Sequence, residues 1–458
     1  MNSKSHIKTF LFLSLLIGLP VLFGEMKKDK KFKKGIEAYQ AESENAREIY
    51  TGKIRDVYDP LDEAYIVTNE LKELKETSKI DISKYKSWPV ISVWANPKDL
   101  YSSERGIITN GYKTGRLWER ASFVRFYLRG EKVYESYAGL RQHGGTSRAP
   151  NSKHRSFRLY FRKKYGEKSF IKNLKISQKE GSPIKRLVIR KDLHYSFGND
   201  LAFYLIRSLG GDAPYSRHVA FFLNGKLFGY HTITEHISPE QLKYMYGHED
   251  FAFAKVKGKK DLKSRLLYLD IRDKLERKKD LDFDYVNSVV DMDSMMSSLL
   301  TIMFTGNTDW SQGAYIKDLK RKKAKWKIIS WDFDRVAHPV RKSKRPGMKH
   351  NYEMKSLSIG MDQKKGKIRW SIFNRLIHKD QKFRVYFKNL VDKLIIKVKS
   401  ESFKKQLEFY QALADESKDK KVLNSIMVLK EFFQNRTKVF CQDLKRRVSL
   451  VPDQCHLN

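Results

Sequence analysis

Cysteine is nearly absent from this chain: Cys441 and Cys455 are the only two in 458 residues, and both lie late. So few exclude a disulfide scaffold and a four-cysteine zinc site, although in an oxidising compartment the two could pair with each other. Acid is scarce relative to base, with 53 Asp and Glu against 92 Lys and Arg and a formal net charge of +39. A surplus of this size favours anionic partners such as nucleic acid, nucleotide, acidic polymer or an anionic membrane face, and a solvated lysine-rich exterior accounts for it equally. It says nothing of fold, and it does not point to nucleic acid as a specific ligand. Long apolar runs are also missing. The one that stands out, Phe10 to Phe23, falls short of the ~20 residues a membrane-crossing helix needs, which excludes a multi-span protein. Lys4 and Lys8 precede it and a lysine cluster follows Gly24, the layout of an export signal; uncleaved it is an amino-terminal anchor, and the remaining reading is a buried helix.

What is present argues for a folded protein. The chain is 40% hydrophobic and 13% aromatic, too apolar for disorder throughout. Residues 1–25 read as the signal or anchor and 26–87 as a polar linker with a short helix near Ala64 to Leu74. From Trp88 to about residue 260 strand signals dominate: Val90 to Trp94, Ala121 to Leu128, Ser156 to Arg162, Arg186 to Arg190, and His218 to Thr234 folded at Asn224-Gly225, a hairpin turn pair. One helix, Phe197 to Leu209, interrupts them before Gly210-Gly211. Residues 261–458 turn helical, most clearly over Tyr285 to Phe304, Ile372 to Val398 and Val422 to Arg447. A strand-rich half followed by a helix-rich half is an α+β arrangement.

Two constellations could carry chemistry. In the first, Gly144-Gly145-Thr146-Ser147-Arg148 lies between strands and is followed by Lys153, Arg155 and Arg158. A glycine-containing turn lets backbone N–H groups approach phosphate oxygens, and the cations supply charge; a plain basic hairpin turn has the same composition. In the second, an apolar strand from Trp326 to Trp331 delivers Asp332 and Asp334, whose alternation puts both carboxylates on one face. Such a pair suits Mg²⁺, which takes one or two carboxylates plus substrate phosphates, and Asp309 in Asn307-Thr308-Asp309-Trp310 fits the group that orients an attacking hydroxyl. Alternatively these aspartates cap turns and pair with neighbouring Lys and Arg. Glu235, ending a strand, is a candidate ion-pair support for a phosphate-binding cation. His231, His236 and His248 match no helical ligand spacing. Met292, Met295, Met296 and Met303 read as core.

Several motifs in order resemble the CotH-type atypical protein kinases. They are Gly115-Arg116-Leu117-Trp118-Glu119-Arg120, Ala138 to Arg141 with Gly144 to Arg148, Arg155-Ser156-Phe157-Arg158, Leu223 to Tyr230 with Glu235, Asn307 to Trp310, Trp331 to Asp334, and the late Phe432-Phe433 with Arg436. The resemblance implies a kinase-like fold and an exported enzyme using ATP with Mg²⁺ or Mn²⁺ to phosphorylate hydroxyls of a protein. By position, Asp309 matches the catalytic aspartate, Asp332 a metal-binding aspartate, and Arg155 the place of a lysine near the phosphates. One departure stands out: Gly313 and Ala314 occupy the place of a metal-binding asparagine, leaving Gln312 or Asp334 to supply that oxygen. The rival implied by this departure is a non-catalytic relative that docks to an anionic polymer or surface.

Overall fold

The computed structural model describes residues 72–73, 75, 79–149, 152–166, 183–192, 195–255, 262–307, 313–337, 350–353, 357 and 368–456. The amino-terminal apolar run, nearly all of the linker with its expected helix, Asp309, Gln312 and most of two basic runs (257–261, 341–349) lie outside the described residues.

Period-two alternation builds the first half. Strands β1 (Val90–Trp94), β2 (Arg120–Leu128), β3 (Glu131–His143), β4 (Ser156–Tyr160), β5 (Arg186–Arg190), β6 (Ser216–Leu223) and β7 (Lys226–Glu235) close into a barrel in the order β1-β2-β3-β4-β5-β7-β6. All neighbours are antiparallel except β1 and β6, whose parallel pairing shuts the ring. Ile91, Val93, Val124, Phe126, Phe157, Leu159, Leu187, Ile189, Phe221 and Ile233 fill its interior. The turn between β6 and β7 has positive φ at both Asn224 (48°) and Gly225 (78°), the geometry that matches strand twist in a two-residue hairpin. Asn224 further exchanges hydrogen bonds with the Ala95 backbone, 2.8 Å in each direction, which pins the hairpin to β1.

A second sheet, β10-β9-β8, combines β8 (Phe251–Lys255), β9 (Ala314–Asp318) and β10 (Lys327–Ile329). The helices are α1 (Pro97–Tyr101), α2 (Gly198–Ser208), α3 (Pro239–Tyr246), α4 (Leu262–Glu276), α5 (Phe283–Val289), α6 (Met292–Thr305), α7 (Ile368–Leu376), α8 (Gln381–Lys399), α9 (Glu401–Ser417) and α10 (Lys420–Val448). The chain is therefore α+β, strand-rich first and helical later. The single helix expected over Tyr285 to Phe304 is two, because Val290 goes extended to bridge Trp326 and Asp291 then caps α6 through the Ser294 N–H. Ile372 to Val398 likewise divides at Asp380, which caps α8.

One core serves both halves. Trp88, Val90, Ala220, Phe222 and Tyr230 on the outer barrel wall join Phe197, Leu201 and the methionines of α6 with the aromatic faces of α7 to α10. Trp88 Nε1 donates to the Leu413 carbonyl (2.6 Å) and Tyr230 Oη to that of Ser417 (3.1 Å), fastening barrel to α9. Cys441 of α10 is joined to Cys455 as a disulfide, Cα atoms 5.7 Å apart, which closes the carboxyl terminus onto the helices.

Candidate functional site

A cavity of about 360 Å³ opens where the barrel wall meets the second sheet. β4 contributes Arg158; the end of β5 contributes Arg190 and Lys191; β7 ends at Glu235 and His236; Lys255 comes from β8, Gly313 from the start of β9, and Asp332 and Asp334 from the segment after β10. Ser147 of the β3–β4 turn closes one side, its hydroxyl donating to the His143 carbonyl. Of the residues singled out from sequence, Ser147, Arg158, Glu235, Asp332 and Asp334 thus share one cavity. Lys153 is exposed and does not line it. Arg155 turns away, its Nη1 donating to the Ile108 carbonyl at 3.3 Å. Arg148 lines a neighbouring cavity instead.

The two aspartates do converge, but not by strand alternation. β10 ends at Ile329, and Asp332 takes φ +72°, a left-handed conformation that Asp tolerates better than most side chains. Asn199, in the first turn of α2, holds this bend: its Oδ1 accepts the Phe333 N–H at 2.6 Å while its Nδ2 donates to Asp192 Oδ1 at 2.7 Å. Thr232 of β7 donates to the other Asp192 oxygen (3.1 Å), so the buried Asp192 carboxylate is anchored once by α2 and once by the barrel wall. Farther along, the Ala337 N–H donates to the Thr305 carbonyl (2.9 Å), tying the aspartate-bearing turn to the carboxyl end of α6.

Arg190 is the residue that sequence reasoning undervalued. Its Nη1 donates to Asp332 Oδ1 and lies 4.0 Å from Asp334 Oδ2. Burial opposes its charge, but the carboxylates of Asp332, Asp334 and Asp192 outweigh burial and raise its pKa. Burial and the Asp332 charge push Asp334 up to about 7, against the pull of Arg190. The two carboxylates supply oxygen ligands of the kind a divalent cation takes, and Arg190 occupies one of those oxygens in this structure. The available signal was the Arg190-Lys191-Asp192 run at a strand end.

The cavity is otherwise cationic. Burial lowers the pKa of Arg158 and Lys191, and it lowers those of His143 and His236, where the Arg158 charge adds to the effect, so both imidazoles are neutral. Glu235, 2% exposed, makes no ion pair among the described residues; its Oε2 accepts from Gln241 Nε2 at 3.2 Å and burial pushes it up to about 8. Because the unfolded chain releases this proton near pH ~4.3 and the native state holds it to about 8, stability falls as pH rises through that window. Glu235→Gln, which stays neutral, is expected to gain progressively on the parent as pH rises from ~5.5 to ~8.5, measured by urea titration.

Gly313 and Ala314 have structural explanations. Gly313 sits at φ +144° with its Cα facing the Ile329 carbonyl, 2.8 Å from where a Cβ would stand, so no side chain fits. Ala314 is fully buried against Ile237, Leu242 and Ile329, and an asparagine there would bury an amide in an apolar cluster rather than present it to phosphates. Asp334 is left as the described candidate for the missing oxygen. The three histidines sit apart in role: His231 bonds the Arg155 carbonyl (3.1 Å), His236 lines the cavity, and His248 pairs with Asp318 at 3.4 Å. No group of three or more His, Cys, Asp or Glu that could hold a metal occurs among the described residues. None of the described helices is long and apolar enough to cross a membrane.

Compared with known protein families, residues 140–440 match the family described as CotH kinase protein. The chain belongs to this family. None of the curated proteins compared with it matches.

Proposed function

We propose that the chain is an exported protein kinase that transfers the γ-phosphoryl group of ATP to serine or threonine hydroxyls of a protein. The observation that carries this reading is the meeting of Asp332 and Asp334 with Arg158, Arg190 and Lys191 in one cavity of a CotH kinase family chain. Asp332 and Asp334 would hold Mg²⁺ or Mn²⁺, which neutralises charge on the nucleotide phosphates. Arg158 and Lys191, already desolvated, bind phosphate oxygens without first surrendering a water shell. Arg190 holds both carboxylates in place and offers its remaining N–H groups to the transferred group. Gly144 and Gly145 line the same cavity, where a glycine turn lets backbone N–H groups approach phosphate oxygens. Asp309, outside the described residues, is assigned the orienting of the acceptor hydroxyl by its match to the family's catalytic aspartate. Export is supported by the Cys441–Cys455 disulfide, a bond that persists in oxidising compartments.

The direct test is incubation of the purified chain with γ-labelled ATP and a serine-rich acceptor protein. Label is expected in the acceptor with Mg²⁺ or Mn²⁺ and none after chelation. Metal-independent labelling, or none with any divalent cation, contradicts the reading.

A further inference from the structure

On the far side of the Gly144 turn lies a second cavity, also about 360 Å³, which shares only His143, Gly144 and Arg158 with the first. Its charges are one-sided: Lys113, Arg141, Arg148 and Arg158 line it, and no described carboxylate does. Arg141 is already compensated, since its Nε and Nη2 both donate to Glu119 Oε2 (3.0 and 2.6 Å) from behind the wall. The other three are not. The Arg148 side chain makes no hydrogen bond or ion pair among the described residues, and its Nε is buried without a partner. Arg158 places Nη1 on Tyr160 Oη (3.2 Å) and Nη2 on His143 Nδ1 (2.6 Å), but its Nε too is buried and unpartnered. Among the described residues the Lys113 ammonium has the Trp118 ring beneath it, 4.6 Å to the centroid, and no ion-pair partner.

Cationic side chains lining a cavity with no carboxylate among its described lining residues suit a ligand that brings several acceptor oxygens. Lys113 and Arg148, with Arg158 shared between the two cavities, exceed what one carboxylate neutralises and suit a phosphoryl group, which carries about −1.5 to −2 at neutral pH and three strong acceptors. Trp118 and Tyr160 give the cavity aromatic walls for the stem that carries such a group, and exposed Lys113 marks its mouth.

We infer that this second cavity binds a phosphorylated side chain of the acceptor polypeptide, so that a chain lying over the Gly144 turn keeps one phosphorylated residue there while its next hydroxyl enters the first cavity. The role in recognising acceptors rests on the kinase reading above; the binding itself does not. A phosphoryl dianion could also arrive as part of the nucleotide extending around the turn, and the test separates the two sources. A fluorescein-labelled Gly-Ser-Gly-pSer-Gly-Ser-Gly peptide is titrated with the full chain by anisotropy at about 150 mM salt, without nucleotide, beside its Ser and Glu counterparts. The phosphopeptide should bind at least about tenfold more tightly than both, and Arg148→Ala and Lys113→Glu should each remove about that factor. Lys113→Glu alters an exposed residue and should leave unchanged the rise in melting temperature that ATP plus metal produces. Equal binding of the three peptides overturns the inference. So does a pair of variants that keeps phosphopeptide binding and loses the rise with ATP plus metal, which assigns the cavity to the nucleotide. A chain that transfers no phosphoryl group yet binds the phosphopeptide selectively would sink the kinase reading and leave the site standing.

Discussion

Asp332→Asn is expected to reduce metal-dependent phosphoryl transfer by about a thousandfold or more while leaving the chain folded. Folding should survive because asparagine tolerates the left-handed backbone at φ +72° as well as aspartate does, and because the Asn199 bond goes to the neighbouring Phe333 N–H, not to the Asp332 side chain. Activity should not survive, because the amide brings no negative charge to the metal and leaves Asp334, 4.0 Å from Arg190, as the one carboxylate of the pair. Initial rates of label transfer across a Mn²⁺ series check this. A variant that recovers the parent rate at high metal concentration would show weakened affinity only, and one with the parent rate throughout would remove Asp332 from the site.

The second large effect is on stability. Arg436 of α10 is fully buried, and its guanidinium donates to carbonyls at the end of α6, Phe304 (2.6 Å) and Met303 (3.0 Å), and to that of Tyr352 (2.7 Å). Helix-end carbonyls have no partner within the helix, so a buried cation there both caps them and complements the helix dipole. Burial lowers the Arg436 pKa to about 10, which keeps it charged at neutral pH. Arg436→Ala removes those donors and opens a cavity between Phe432 and Phe440, whose rings flank the guanidinium. The expected loss is about 3 to 5 kcal/mol by denaturant titration, with Arg436→Lys intermediate. A loss below ~1 kcal/mol would mean water replaces the guanidinium at no cost.

How far the sequence spoke depends on how strongly each element advertised its period. The Asn224-Gly225 hairpin was legible because the turn chemistry and both apolar strands agree. β3 was not, although it is the longest strand of the barrel, because its inward positions are Tyr134, Ser136, Ala138 and Leu140, two of them too small or polar to register as alternation. α9 buries Phe403, Tyr410, Leu413 and Ala414 at helical spacing, but charged residues dilute that stripe. In the site, the carboxylate pair was readable from the apolar strand before it. Arg190 and Asn199 were not, since each works on a partner well over a hundred positions away, and only the closed barrel brings β5 and α2 to the end of β10. Arg148 and Arg155 show the converse: both sit in a basic loop that suggests phosphate, yet the backbone sends one into a second cavity and the other against Ile108.

The central claim, that Asp332 and the cationic wall opposite it form one metal–nucleotide site, is tested most directly by the melting temperature of the purified chain with ATP, with Mn²⁺, and with both. A ligand bound only by the native state stabilises it by about 2.7 kcal/mol at a hundredfold excess over its dissociation constant. The account predicts a rise of a few degrees that needs ATP and metal together and is absent in Asp332→Asn. An equal rise in that variant, or no rise with both ligands at millimolar concentration, would contradict it.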